Sequence, residues 1–301
     1  MSVLQKKESL IQNIAYMGIM AAVNVIAVVL MNYVLPVLFL PFALFMPFTS
    51  TVVTLFCKKR YFPIYAVATI GLCFLVSINN ISDTLFYVIP SVLSGFIFGA
   101  LIEYKFPSII SIFTAGLLYT AVSYLTIPLI AFIYGQDMVI VIATIFGLVD
   151  YQYLYYIVPP FIFTLGLIQS TISYALIRMG LPKLGLDNEE NESLYLYEGI
   201  GLLGSLLSLL GAFFYKEFSL FFMLFAVFFG VYEVVSRGFK IEKIPLIIDG
   251  VCTLVFAILF ALLYQYIEVP LGLLLINGLF DMYLITGLVY NSLTYKKRSL
   301  E

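Results

Sequence analysis

The sequence predicts an all-α protein: a polytopic transmembrane helix bundle of about ten spans, six followed by four, with both termini cytoplasmic. Three observations carry this. The 301 residues are 63% hydrophobic and only 11% charged, far from the roughly 25% charged residues of soluble domains. Apolar segments long enough to cross a bilayer, about 20 residues each, recur along the chain. Finally, the basic residues fall on one side of those segments when they are threaded in turn.

In chain order the predicted spans are 10–31, 34–56, 61–78, 84–102, 108–132 and 155–177, then 195–214, 218–236, 244–264 and 270–293. If the first starts in the cytoplasm, Lys6, Lys7, Lys58, Lys59, Arg60, Lys105, Arg178, Lys183, Arg237, Lys240, Lys243, Lys296, Lys297 and Arg298 lie inside and only Lys216 lies outside, fourteen of the 15 bases. That asymmetry places both tails on the cytoplasmic side of a cell membrane. The basic start resembles a signal peptide, but the apolar run from Ile14 to Met31 is too long for one and is read as a retained span.

The long polar interruption is Arg178 to Ser193, RMGLPKLGLDNEENES. Gly180, Pro182 and Gly185 break helix, and the acids Asp187, Glu189, Glu190 and Glu192 keep the segment in water. It divides a six-span module (1–183) from a four-span module (195–301), with 184–194 as an acidic cytoplasmic loop. The run Met138 to Val149 is only 12 residues; counting it as a span would invert every later loop, so it is read as an interfacial or re-entrant helix on the outer face. The following YQYLYY, with Tyr151 and Tyr153, suits an interfacial tyrosine belt or a ligand contact.

Small residues mark where helices approach closely in lipid. The first span has Ala15, Gly18 and Ala22, the fourth has Gly95 and Gly99 in SGFIFGA, and the seventh has Gly204, Ser208 and Gly211. All suit internal packing, and the first-span stripe also suits a separate protein. Pro36, Pro41, Pro47, Pro90, Pro128, Pro159 and Pro160 each remove a backbone donor, so the carbonyls they free need partners from neighbouring helices.

The polar residues within the spans are the functional candidates. Asp281 lies near the midplane of the last span, about 16 Å from its outer end by helical rise, with Asn277 one turn away. A carboxyl group there must be protonated, hydrated or paired. Asp249, Glu233 and Glu198 lie near cytoplasmic ends, where solvation or pairing with Arg237, Lys240 and Lys243 is expected. Asn24 and the cluster Gln169, Ser170 and Thr171 suit bonds across helices. On the outer side, Asn79, Asp83, Asp137 and Asp150 surround the loops through which a solute would enter.

Several classes are excluded or unsupported. With 0 histidines, serine-histidine and cysteine-histidine catalysis is ruled out. No cysteine spacing suits a metal or a disulfide, no phosphate loop or other cofactor motif is present, and the net charge of -2 suggests no nucleic-acid partner. The chain is read as a non-enzyme.

The front module, with AYMGIMAAVNVIA in its first span, is similar to the membrane-embedded S components of energy-coupling-factor (ECF) vitamin transporters. The resemblance implies that Ala15, Gly18 and Ala22 meet an energy-coupling membrane subunit that works with ATPases, and that an unknown small-molecule solute binds near the outer face. Over its whole length the chain resembles the YybS-like family of bacterial multi-pass membrane proteins. That likeness rests on IPSVLSGFIFGALIEYK (Ile89 to Lys105) and on GLFDMY (Gly278 to Tyr283) followed by Lys296 to Arg298, although there is no tryptophan here. Ten spans also suit a drug/metabolite-transporter-like carrier using Asp281, but no convincing inverted repeat relates 10–132 to 155–293. A third reading is a non-transport scaffold or envelope-assembly factor.

Overall fold

The computed structural model describes residues 6–34, 39–135, 137–145, 154–180, 194–214, 216–240, 243–263 and 271–298. The described residues are helical, without a strand among them. This is what lipid demands of an open chain, because a helix satisfies its backbone polar groups within one segment. Eight described helices are long and apolar enough to cross a membrane, which makes the chain a multi-pass integral membrane protein. They coincide with eight of the ten predicted spans. The other two predicted spans correspond to α2 (Phe39–Phe56) and α12 (Leu271–Arg298), which lie outside those eight.

The chain forms two compact units: Met1–Gly147 with Phe161–Asn191, and Leu148–Pro160 with Glu192–Glu301. In the first unit α1 (Leu10–Val29) begins at a capping box, Ser9 accepting from the Gln12 N–H while the Gln12 side chain accepts from Ser9 N. A wider turn, Leu30–Val34, continues it. From that turn Tyr33 donates to the Val76 carbonyl at 2.8 Å, tying α1 to the end of α3 (Phe62–Val76). The single turn α4 (Ile81–Asp83) and the wide turn Thr84–Val88 lead into α5 (Ile89–Glu103). Pro63 and Pro90 sit in the first turns of α3 and α5, where a missing N–H costs nothing. Then α6 (Ser108–Tyr134) ends at Gly135, whose φ of 64° is left-handed.

Of the predicted short segment 138–149, the described part is α7 (Met138–Ile145), 8 residues long; 146–149 lie outside the described residues. The following α8 (Leu154–Gly180) contributes Phe161 onward to this unit. Close backbone approach holds these helices together: α5 lies on α2 at Gly95 and Gly99, and α6 meets α8 where Gly116 faces Gly166. Buried Tyr65, Phe86, Phe98, Tyr119 and Phe163 fill the interior.

The second unit contains α9 (Leu194–Phe214), α10 (Lys216–Lys240), α11 (Lys243–Leu263) and α12. Here α9 lies against α10 through Gly204 beneath Phe225 and Gly211 beneath Ser219, while Gly201 receives Leu284 of α12 and Gly230 of α10 receives Phe280. Ser208 donates to the Ser219 carbonyl at 2.8 Å. Tyr197 stacks on Phe229 with centroids 6.2 Å apart. Most of α11 is exposed and apolar, including Ile247, Val251, Leu254, Ile258 and Leu262, as suits a helix bathed in acyl chains.

Candidate functional site

In the second unit the last helix carries the polar residues closest to the predicted midplane. Asn277 and Asp281 are one turn apart on α12, and Gly278 between them leaves room beside Phe256 of α11. From α9, Ser205 donates to Asp281 Oδ2 at 2.7 Å. The other oxygen, Oδ1, is buried and has no hydrogen-bond partner among the described residues, and the same holds for both amide atoms of Asn277. Asn277 is only 2% exposed. A buried amide and half a carboxyl group left unpaired cost free energy in an apolar setting. They are therefore the atoms at which a proton, a water or a solute group would find partners.

The acids nearer the opposite end of the same helices are also buried. Glu198 accepts from Asn291 Nδ2 at 2.9 Å, joining α9 to α12 a few turns from the Ser205–Asp281 pair. Glu233 and Asp249 are 3% and 4% exposed, so neither carboxylate snorkels into water. The Asp249 carbonyl accepts from Thr253, which in turn meets the Tyr283 hydroxyl. The sequence marked Asp281 with Asn277 one turn away, and Asp249 and Glu233 singly. Ser205 was missed because a serine in an apolar helix carries no sign of which helix it faces.

In the first unit Asn24 sits in a buried hydrogen-bond network. Its Nδ2 donates to the Tyr65 hydroxyl at 3.1 Å, Thr49 donates to Asn24 Oδ1 at 2.9 Å, and Ser50 lies 3.3 Å from the same tyrosine oxygen. These buried groups knit α1, α2 and α3 together. Pro47 interrupts α2 and frees the Ala43 carbonyl four residues back; Gln169 of α8 supplies the missing donor at 3.1 Å.

The proposed solute residues that are described lie on separate elements. Asn79 is exposed in the turn after α3, and Asp83 ends α4. Asp137 caps α7, its Oδ1 accepting from Val139 N at 2.9 Å. Asp150, Tyr151 and Tyr153 lie outside the described residues. The small-residue stripes differ in what meets them. Gly95, Gly99, Gly204 and Gly211 are filled by neighbouring helices. Ala15, Gly18 and Ala22 are exposed, and among the described residues nothing lies within 4 Å of where a Gly18 Cβ would stand.

Comparison of the chain with protein-family models, curated proteins and solved structures gave no match.

Proposed function

We propose that this multi-pass membrane protein is a solute-binding protein of the S-component type, resident in the cell membrane with both tails cytoplasmic, and that a helical energy-coupling subunit packs on α1. The open stripe of Ala15, Gly18 and Ala22 carries this reading. The chain's other small-residue stripes receive a neighbouring helix of their own unit, whereas this one stays exposed. In lipid, helices associate by such close approach rather than by apolarity. Native mass spectrometry of the protein extracted from its own membrane tests it. Expected are a helical membrane subunit, paired ATPases and a retained small molecule, with the subunits lost in Gly18→Leu. Recovery of the bare chain alone refutes it.

A second reading has its own observation: the Ser205–Asp281 pair beside unpartnered Asn277 suits a carrier that loads and unloads a proton or cation on Asp281. In proteoliposomes with an imposed proton gradient, Asp281→Asn should then abolish solute uptake and Asn277→Leu should weaken it. Uptake that survives Asp281→Asn excludes this reading.

A further inference from the structure

At one end of the first unit, the segment before α1, the junction of α2 with α3 and the end of α5 form an open cavity of about 590 Å³, whose lining includes Lys6, Lys7, Lys58, Lys59, Glu8 and Glu103. Four lysines and two glutamates thus line one hollow. Glu103 divides its charge, with Oε1 2.7 Å from Lys6 Nζ and Oε2 2.9 Å from Lys59 Nζ. The Lys59 ammonium also lies 4.0 Å from the Tyr104 ring centroid, and that of Lys7 lies 4.8 Å from the Tyr16 centroid. Lys7 is buried, at 7% exposure.

The walls are fixed by the backbone. Lys7 N donates to the Phe56 carbonyl at 2.7 Å, Lys58 N to Asn13 Oδ1 at 2.8 Å, and Asn13 Nδ2 to the Lys7 carbonyl at 3.1 Å. The cavity is therefore pre-shaped rather than gathered by a ligand. Lysines at the ends of α2 and α5 also offset the helix dipoles. That role needs no shared hollow, and Lys105, just past α5, meets it from an exposed position.

We propose that this cavity binds a phosphate group, presented by the headgroup of an anionic phospholipid in the adjoining leaflet. Clustered ammonium groups attract phosphate as point charges, and basic pockets between helices at the membrane surface are suited to anionic headgroups. Leu10 and Ile11, next along the chain from the cavity wall, are 51% and 80% exposed, and Phe106, two residues beyond Tyr104, is 50% exposed. They offer acyl chains an apolar surface that a free phosphate compound would not use.

The test uses the full chain in a neutral detergent, with native mass spectrometry and thermal unfolding read against added phosphatidylglycerol, phosphatidylcholine or inorganic phosphate. Phosphatidylglycerol should be retained about tenfold more than phosphatidylcholine and should raise the melting temperature. Lys7→Gln and Lys59→Gln should remove that preference while Lys105→Gln keeps it. If Lys7→Gln does not fold, Lys58→Gln, at an exposed position on the rim, carries the same expectation. Inorganic phosphate that binds with the same lysine dependence, with no preference between the lipids, overturns the lipid as source. Equal retention of both lipids without phosphate binding, or an equal loss in Lys105→Gln, overturns the site itself. None of these outcomes depends on whether coupling subunits co-purify.

Discussion

Replacing Gly95 and Gly99 by alanine tests whether α5 is held to α2 by backbone contact. A methyl group on Gly95 would collide with the Pro47 carbonyl oxygen and stand 2.8 Å from Ser50 Cβ; one on Gly99 would stand 2.7 Å from Thr54 Cβ and 2.9 Å from the Thr51 carbonyl oxygen. Carbon atoms normally rest about 3.5–4.0 Å apart. The obstacles are backbone atoms and β-carbons, which no rotamer change removes, so the helices must separate by about 1 Å. Overpacking of this kind costs about 1–3 kcal/mol per site, against about 1 kcal/mol gained because alanine is the better helix former. With clashes this short the cost lies in the upper half of that range, so each substitution should destabilise by about 1–2 kcal/mol, and the pair by more than either but less than their sum, since one separation of the shared interface relieves both. Gly18→Ala is the control: with open space at its Cβ, only the propensity gain remains. Thermal unfolding in a fixed detergent, followed by far-UV circular dichroism, should rank Gly18→Ala at or above wild type and Gly95→Ala/Gly99→Ala lowest. A double variant that melts with wild type, or a Gly18→Ala that falls as far, would refute the packing argument.

Gln169→Leu should cost about 1 kcal/mol by stranding the Ala43 carbonyl. In a Pro47→Ala background, where the alanine N–H restores the helical bond, that cost should shrink toward zero, and equal costs in a double-mutant cycle of melting temperatures would contradict the pairing. Tyr65→Phe removes the hydroxyl shared by Asn24, Thr49 and Ser50 and should destabilise by about 1–2 kcal/mol; an unchanged melting temperature would show that the network is dispensable. Cys57 follows the end of α2, and burial holds its thiol up at about 11 although Lys7 pulls the other way. In a variant lacking Cys73 and Cys252, maleimide labelling of native protein should be slow at neutral pH and rise about tenfold per pH unit toward that value, because only the thiolate reacts. Fast labelling that is flat with pH would rule this out.

The helical, membrane-embedded character of the chain was legible in the sequence because two one-dimensional quantities decide it. Apolar length sets whether a segment can span, and the absence of water in the bilayer leaves helix as the form that pairs its own backbone. The Pro47 carbonyl problem was legible too, since a proline's missing donor is a local fact. What answers it, Gln169 of α8, lies more than a hundred residues away and is set only when α8 packs on α2. Likewise Ser205 gained its meaning only when α9 brought it to Asp281. For Glu233 and Asp249, solvation or pairing was expected, and both are buried; end position along a helix says nothing about which side of it is covered.

The small-residue stripes make the same division. Spacing alone marks Ala15–Gly18–Ala22, Gly95–Gly99 and Gly204–Gly211 as surfaces of close approach, and nothing in a glycine distinguishes one from another. Tertiary packing fills two of them and leaves the first open. Composition and charge order determined that this chain is a bundle of helices in lipid. The folded arrangement decided which faces meet, which polar groups pair and where four lysines line a hollow, because those depend on neighbours far apart in the chain.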